Sequence, residues 1–258
     1  MSLREAALHV LLLADPAAKA ARARELLRLG LPLDPALQIA EPDGLPGRPP
    51  RPALVPPKDV PARSPFTPDG RAALLHAIAH IEFNAINLAL DAVWRFDGMP
   101  PDFYRDWLAV AAEEALHFTL LREHLQGIGF DYGDFPAHDG LWLMAQRTAH
   151  DIVARMALVP RTLEARGLDA TPPLQAKFAK AGDARAVEIL AIILRDEVGH
   201  VAIGNRWYRW LCERDGLDPV ALYPELAARH EAPRLRPPFN LEARRAAGFS
   251  DEEIDRLR

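Results

Sequence analysis

Apolar residues recur at three and four along most of this chain, and no stretch sustains alternation at every second position. That period predicts helices and no sheet. Residues 3–13 and 16–29 read as two short helices, the second capped by Asp15, opened by Pro16 and closed at Gly30. The pattern then lapses. Ten prolines fall between Glu41 and Pro68, so this stretch is expected to run as an extended arm over the surface. Four long helices follow. The first opens at Thr67-Pro68-Asp69 and reaches about Phe96, and the second spans about Asp102 to Gln126. A third is expected from near Leu141 to Arg166, broken at "GLDATPP" and followed by a short piece at 172–181. The fourth starts at an Asp183 cap and runs to about Glu213. The tail holds a helix near 219–229, a proline-rich link and a last helix with a capping box from Ser250 to Glu253. The expected fold is all-α. An antiparallel four-helix bundle occupies 67–215, preceded at 1–66 by a helical hairpin and proline-rich arm and followed at 216–258 by a helical tail packed on the bundle.

Within the apolar stripes lie residues that do not belong there. Glu82 sits among Leu75, Ile78, Ala79, Ala85, Ile86 and Ala89 on the first long helix. On the second, Glu114 and His117 share a face with Trp107, Val110, Ala111, Phe118 and Leu121. Glu164 lies on the side of Val153, Ala157 and Pro160, and Glu197 and His200 share the face of Ile193, Leu194, Val201 and Gly204. The order is E, E-x-x-H, E, E-x-x-H. Glu82 to Glu114 is 32 residues and Glu164 to Glu197 is 33. At about 1.5 Å per residue, Glu82 precedes its interhelical turn by roughly 20 Å and Glu114 follows it by a similar length. An antiparallel pair therefore brings the two level, and the second pair works likewise if the 172–181 piece continues the third helix beyond its break. Buried carboxylates without a counter-charge repel strongly. Two divalent metals resolve the repulsion, and this E/E-x-x-H set is the described ligand set of di-iron and di-manganese bundle proteins. Glu113 and Asp196 each precede a ligand glutamate, and each is expected to reach a histidine of the opposite helix, Asp196 to His117 and Glu113 to His200.

Plainer readings stand beside this one. The six residues could instead form interhelical ion pairs with Arg155, Arg161, Arg166 or Arg195. His76 and His80 are one turn apart, but they lie about 120–160° around the helix from Glu82, so packing or polar contacts are expected of them. Pro160, one turn before Glu164, predicts a kinked or π-type irregularity there. His150 reads as a core histidine or a channel lining. Tyr104, Trp107, Trp207, Tyr208 and Trp210 read as core aromatics, with electron relay as the alternative.

Composition narrows the classes. The chain has 258 residues, 49% of them hydrophobic, enough for a substantial core. A net charge of −5 and a pI near 6.0 give no general attraction to nucleic acid or an anionic membrane. Cys212 is the single cysteine, which excludes intrachain disulfides and Cys-x-x-Cys metal or redox sites. The N-terminus does not read as a signal peptide and no stretch reads as a membrane span, so a cytoplasmic location is expected.

The segments "AIAHIEFNAINLALDA", "FYRDWLAVAAEEALHF", "GDFPAHDGLW", "MALVPRTLEARGLD" and "ILRDEVGHVAIG" resemble a bacterial family of ferritin-like proteins known as a domain of unknown function. The resemblance extends over essentially the whole chain. It implies a ferritin-like four-helix fold and a dinuclear site at Glu82, Glu114, His117, Glu164, Glu197 and His200. The expected function is an O2-dependent di-iron oxidase or hydroxylase with two Fe ions, Mn or mixed Mn/Fe being alternatives. O2, a small-molecule substrate and an electron donor protein are the expected partners, and a dimer is the expected assembly. A ferroxidase or iron storage protein and a metal-stabilised binding module that turns nothing over remain the competing classes.

Overall fold

The computed structural model describes residues 1–61 and 63–257, and among them helices carry the architecture with no strand. Only a single parallel bridge joins Leu54 to Ala137. The chain divides into two compact units, residues 1–142 with 181–189, and residues 143–180 with 190–258.

The first unit is built on α3 (Pro68–Arg95) and α4 (Pro101–Gly127), packed against each other as a hairpin. Thr67 caps α3 by accepting from Gly70 N, and Pro68 fills its first position, as expected from sequence. Tyr104 fixes the turn, its hydroxyl donating to Phe96 O at 2.9 Å and accepting from Met99 N at 3.2 Å. The end of α3 is closed by a residue far away in sequence. Arg4, buried on α1 (Leu3–Leu11), donates to the carbonyls of Val93 and Trp94, two of the orphans that every helix end leaves. α1 packs on α3, and α2 (Pro16–Leu26) packs on α4. Among its described residues, the proline-rich arm has a short 3-10 turn at Pro57–Asp59 and tight turns at 43–44 and 65–66, with no longer helix. It is stitched down by Val55 N to Ala137 O, by Ala137 N to Ala53 O and by the Arg48–Asp139 ion pair. Among the described residues, α3 is the one helix long and apolar enough to cross a membrane, with a mean hydropathy of 1.3 over its most apolar window. That window is 78% buried within the protein, which accounts for its composition.

The second unit corrects the expected third helix. In place of one helix from Leu141 to Arg166, α5 (Gly140–Arg147) ends and α6 (Ile152–Leu158) restarts after a gap of four residues. Side-chain hydrogen bonds to the backbone make the break. Thr148 turns its hydroxyl back onto Met144 O, Arg155 reaches Thr148 Oγ1 and Ala145 O, and Asp151 caps the restart by accepting from Ala154 N. The expected break at "GLDATPP" does not occur. A π-helical turn (Val159–Glu164) leads into α7 (Ala165–Lys180), which runs straight through Pro172 and Pro173. Pro172 cannot donate to Leu168 O, but that carbonyl accepts from Asn240 Nδ2 at 3.2 Å instead. Thr171 also donates to Gly167 O. For Pro172, a tertiary contact thus replaces what the proline removes.

α8 (Ala184–Asp215) begins in the first unit, where Asp183 caps it, and continues into the second. α9 (Pro219–Arg229), α10 (Leu241–Ala246) and α11 (Asp251–Asp255) form the tail, the last with the expected Ser250–Glu253 capping box. Ala165, Leu168, Val201, Ala247, Phe249 and Ile254 form one buried apolar cluster that ties α7, α8 and the tail together. Arg244, fully buried, holds Asp169 with two nitrogens and lies over the rings of Phe239 and Phe249.

Candidate metal centre

In the first unit the helical period places Glu82 of α3 against Glu114 and His117 of α4. All three are buried, and one ligand atom from each lies within 4.8 Å of the others. His117 Nδ1 is 3.1 Å from Glu82 Oε2 and 3.3 Å from Glu114 Oε2. Both helices are regular here, so the register follows from their spacing and the fixed turn between them. Burial, reinforced by the neighbouring Glu114 charge, pushes the Glu82 carboxyl well above its ordinary range. For His117 burial disfavours the imidazolium, but the ring's hydrogen bonds to Glu114 and Glu82, with their charges, outweigh it and hold its pKa well above normal. The cluster therefore retains protons that a carboxylate pair in water would release. A divalent cation can take the place of those protons, because its ligands bind deprotonated.

Phe83 and Phe118 lie beside the cluster on the same two helices, and both pack against Tyr132. His76 and His80 belong to this packing, not to the glutamate face. Tyr132 lies near-parallel to both rings and donates to His80 Nδ1 at 2.8 Å. His80 Nε2 donates to His138 O at 3.1 Å, and Gly133 N donates to His76 Nε2. Burial drives both rings to neutrality, with pKa values lowered to about 4 for His76 and about 3 for His80. Their expected structural role holds, with the difference that they are deeply buried.

In the second unit Glu164 is the last residue of the π-helical turn, and Glu197 and His200 lie one turn apart on α8. All three are buried, and His200 Nδ1 is 3.5 Å from Glu197 Oε2. Gly167, one turn after Glu164, marks where Glu197 meets α7. A Cβ there would sit 3.4 Å from Glu197 Cγ. Pro160 lies one turn before Glu164, and Gly204 one turn after His200. A Cβ on Gly204 would come within 2.6 Å of Pro160 Cβ, so only glycine allows this approach. The irregularity expected at Pro160 is thus a π turn seated on Gly204. Thr162 stabilises it by donating to Ala157 O at 2.7 Å, and its oxygen lies 2.9 Å from Tyr223 Oη.

Arg161 has its partners elsewhere: Asn205 and Glu253 take its hydrogen bonds, and Arg195 forks onto neighbouring Asp196. Arg166 is exposed, as is His150, which is neither a core histidine nor a buried channel lining. Tyr104, Trp107, Trp207 and Tyr208 are core, Trp210 is partly buried, and Cys212 is buried. The seat on Gly204, the tail's hold on Arg161 and the Asn240 rescue of Leu168 O were not foreseen. Their only sequence signal was a lone glycine inside an apolar helical face.

The family model described as "Protein of unknown function (DUF455)" matches residues 12–255. A protein of Haemophilus influenzae (strain ATCC 51907 / DSM 11121 / KW20 / Rd), named "Uncharacterized protein", is 55% identical over 225 residues, covering 84% of this chain and 78% of its own. No solved structure matches. By the extent of the family match, which carries both Glu/E-x-x-H sets within it, this chain belongs to the DUF455 family.

Proposed function

We propose that this chain is a ferritin-like dinuclear metal protein. Glu82, Glu114 and His117 supply one half of the ligand set, and Glu164, Glu197 and His200 the other. It works as an O2-dependent di-iron oxidase or hydroxylase on a small-molecule substrate, re-reduced by an electron donor protein. The observation that carries the reading is the first half alone: two carboxylates and an imidazole, fully enclosed, with donor atoms within 4.8 Å. Glu82 finds its partners in Glu114 and His117, within the cluster itself. The repetition of the pattern in the second unit, at nearly the same spacing, supports a two-metal set over a single ion.

Oxygen and nitrogen donors of this kind suit iron and accept manganese as well. Bound reduced iron would supply the electrons that activate O2. The chain's own residues do the rest. The glutamates would neutralise the metal charge, and His117 and His200 would fix the orientation of the site. Glu113 and Asp196 orient those histidines, and the Phe83–Phe118–Tyr132 packing keeps water from the first half.

The test is metal retained per chain after aerobic loading with excess Fe(II) and desalting. About two irons are expected. None, with manganese also absent after parallel loading, overturns the metal reading. Tens per chain would replace the enzyme with mineral storage.

A further inference from the structure

The π turn that presents Glu164 is held from outside by the C-terminal tail, through one residue. Arg161 is 4% exposed, a charge that burial makes costly unless it is paired. Its charge is paired within the fold. Nε donates to Asn205 Oδ1 at 2.9 Å and the guanidinium is bonded to the buried Glu253 carboxylate of α11. Its flat face lies 5.0 Å from the Tyr208 ring centre, 4.8 Å from Tyr223 and 5.0 Å from Phe249. Asn205 in turn donates to Ala247 O, and Arg209 donates to Glu253 and Gly248 O. The arginine therefore reaches α9, α11 and the link before α11, as well as α8.

Its neighbours are held just as specifically. Pro160 is seated on Gly204, and the Thr162 hydroxyl is bonded to Ala157 O and to Tyr223 of α9. Three consecutive residues of the π turn are thus each fixed by a different contact, and the turn ends on Glu164. An α-helix can absorb a π turn by shifting one residue of register, which would rotate Glu164 by about 100° off its face. A buried ion pair clamped between three rings opposes that slip.

We infer that Arg161 is a positioning residue for Glu164, and that the docked tail, through Glu253, keeps this carboxylate on the α7–α8 face where it meets metal. The inference rests on the metal reading above. It assigns the tail a role in metal binding, beyond covering apolar surface.

The experiment compares the full-length protein with Arg161→Lys and Glu253→Gln, at a temperature well below the melting point of each. Two quantities are read: Fe(II) affinity by chelator competition, and hydrogen exchange in the peptide covering 157–166. Both variants should keep their helix content, exchange this peptide faster and bind metal about 10-fold or more weakly, the size expected for outer partners of ligands. Tyr223→Phe, which removes only the contact to Thr162, should show the same direction with a smaller change. Unchanged affinity in the variants, beside normal loading of the wild type and a lowered melting point, overturns the inference alone and leaves Arg161 a purely structural group. Absence of metal from the wild type overturns the metal reading and this inference with it.

Discussion

The two Glu/E-x-x-H halves are nearly the same in sequence and are built by different means. In the first unit, two long regular helices joined by a fixed turn carry Glu82, Glu114 and His117, and the period alone brings them together. In the second, Glu164 ends a π turn, a proline lies on a glycine, and a tail of three short helices holds the distorted segment. A regular helix places a side chain through its own hydrogen bonds. A π turn places one only as well as its surroundings resist reversion. The first half should therefore answer to changes in the ligands themselves, and the second also to changes far from them.

The largest expected effect tests the first half directly. Glu114→Ala removes one carboxylate from the cluster and should reduce retained metal from about two per chain to almost none. Helix content by circular dichroism should stay close to wild type. A variant that keeps its metal would break the comparison at its root.

The second half should be broken without touching a ligand. Gly204→Ala drives a methyl into Pro160 and should cost about 1–3 kcal/mol of stability, read as a shift in the urea midpoint. Gly167→Ala, where the new Cβ would meet Glu197 Cγ at 3.4 Å, should cost less and act mainly on metal affinity. Asn240→Ala takes away both the α10 cap and the donor to Leu168 O, and about 1 kcal/mol is expected from such a cap.

A smaller effect, visible only as a pH dependence, belongs to the first unit. Burial lowers Lys19 from near 10.5 to about 7. Between those values the unfolded chain holds a proton that the folded chain has released, so stability rises with pH from about 7 upward. Below about 7 the cost of the buried charge is fully present. The wild type should gain stability from pH 7 to 9 relative to Lys19→Met in parallel denaturation curves; parallel slopes would sink the assignment. The smallest expected effect is nil. His76→Ala should retain its metal in full, because that ring faces Tyr132 and Gly133.

Helical period made most of the architecture legible, and it failed where side chains override it. The starts of α3, α8 and α11 were readable because Thr67, Asp183 and Ser250 cap them by local bonds. The four glutamates and two histidines were readable for a similar reason, since a charge in an apolar stripe is visible in one dimension. Thr148 ending α5 was not, because a threonine that bonds back to Met144 O has the same letter as one that does not. The continuity of α7 through Pro172 depends on Asn240, sixty-eight positions later, and no window along the chain contains both. Arg161 and Glu253 are further apart still. What was missed is what only tertiary contact can decide.

The arm offers a last consequence, in covalent chemistry. Its Gly47 carbonyl accepts from Lys19 Nζ at 2.8 Å, with Asn87 Oδ1 on another side and the Phe83 ring beneath. An amine with a pKa of about 7 is roughly half unprotonated at neutral pH and would be the most nucleophilic lysine of the chain if a reagent could reach it. The strap of prolines over it means that none does. Acylating reagents should modify the exposed Lys58, Lys177 and Lys180 of the native protein and pass over the amine best able to react with them. The arm thus acts as a protecting group, and its release would be reported by the sudden labelling of Lys19.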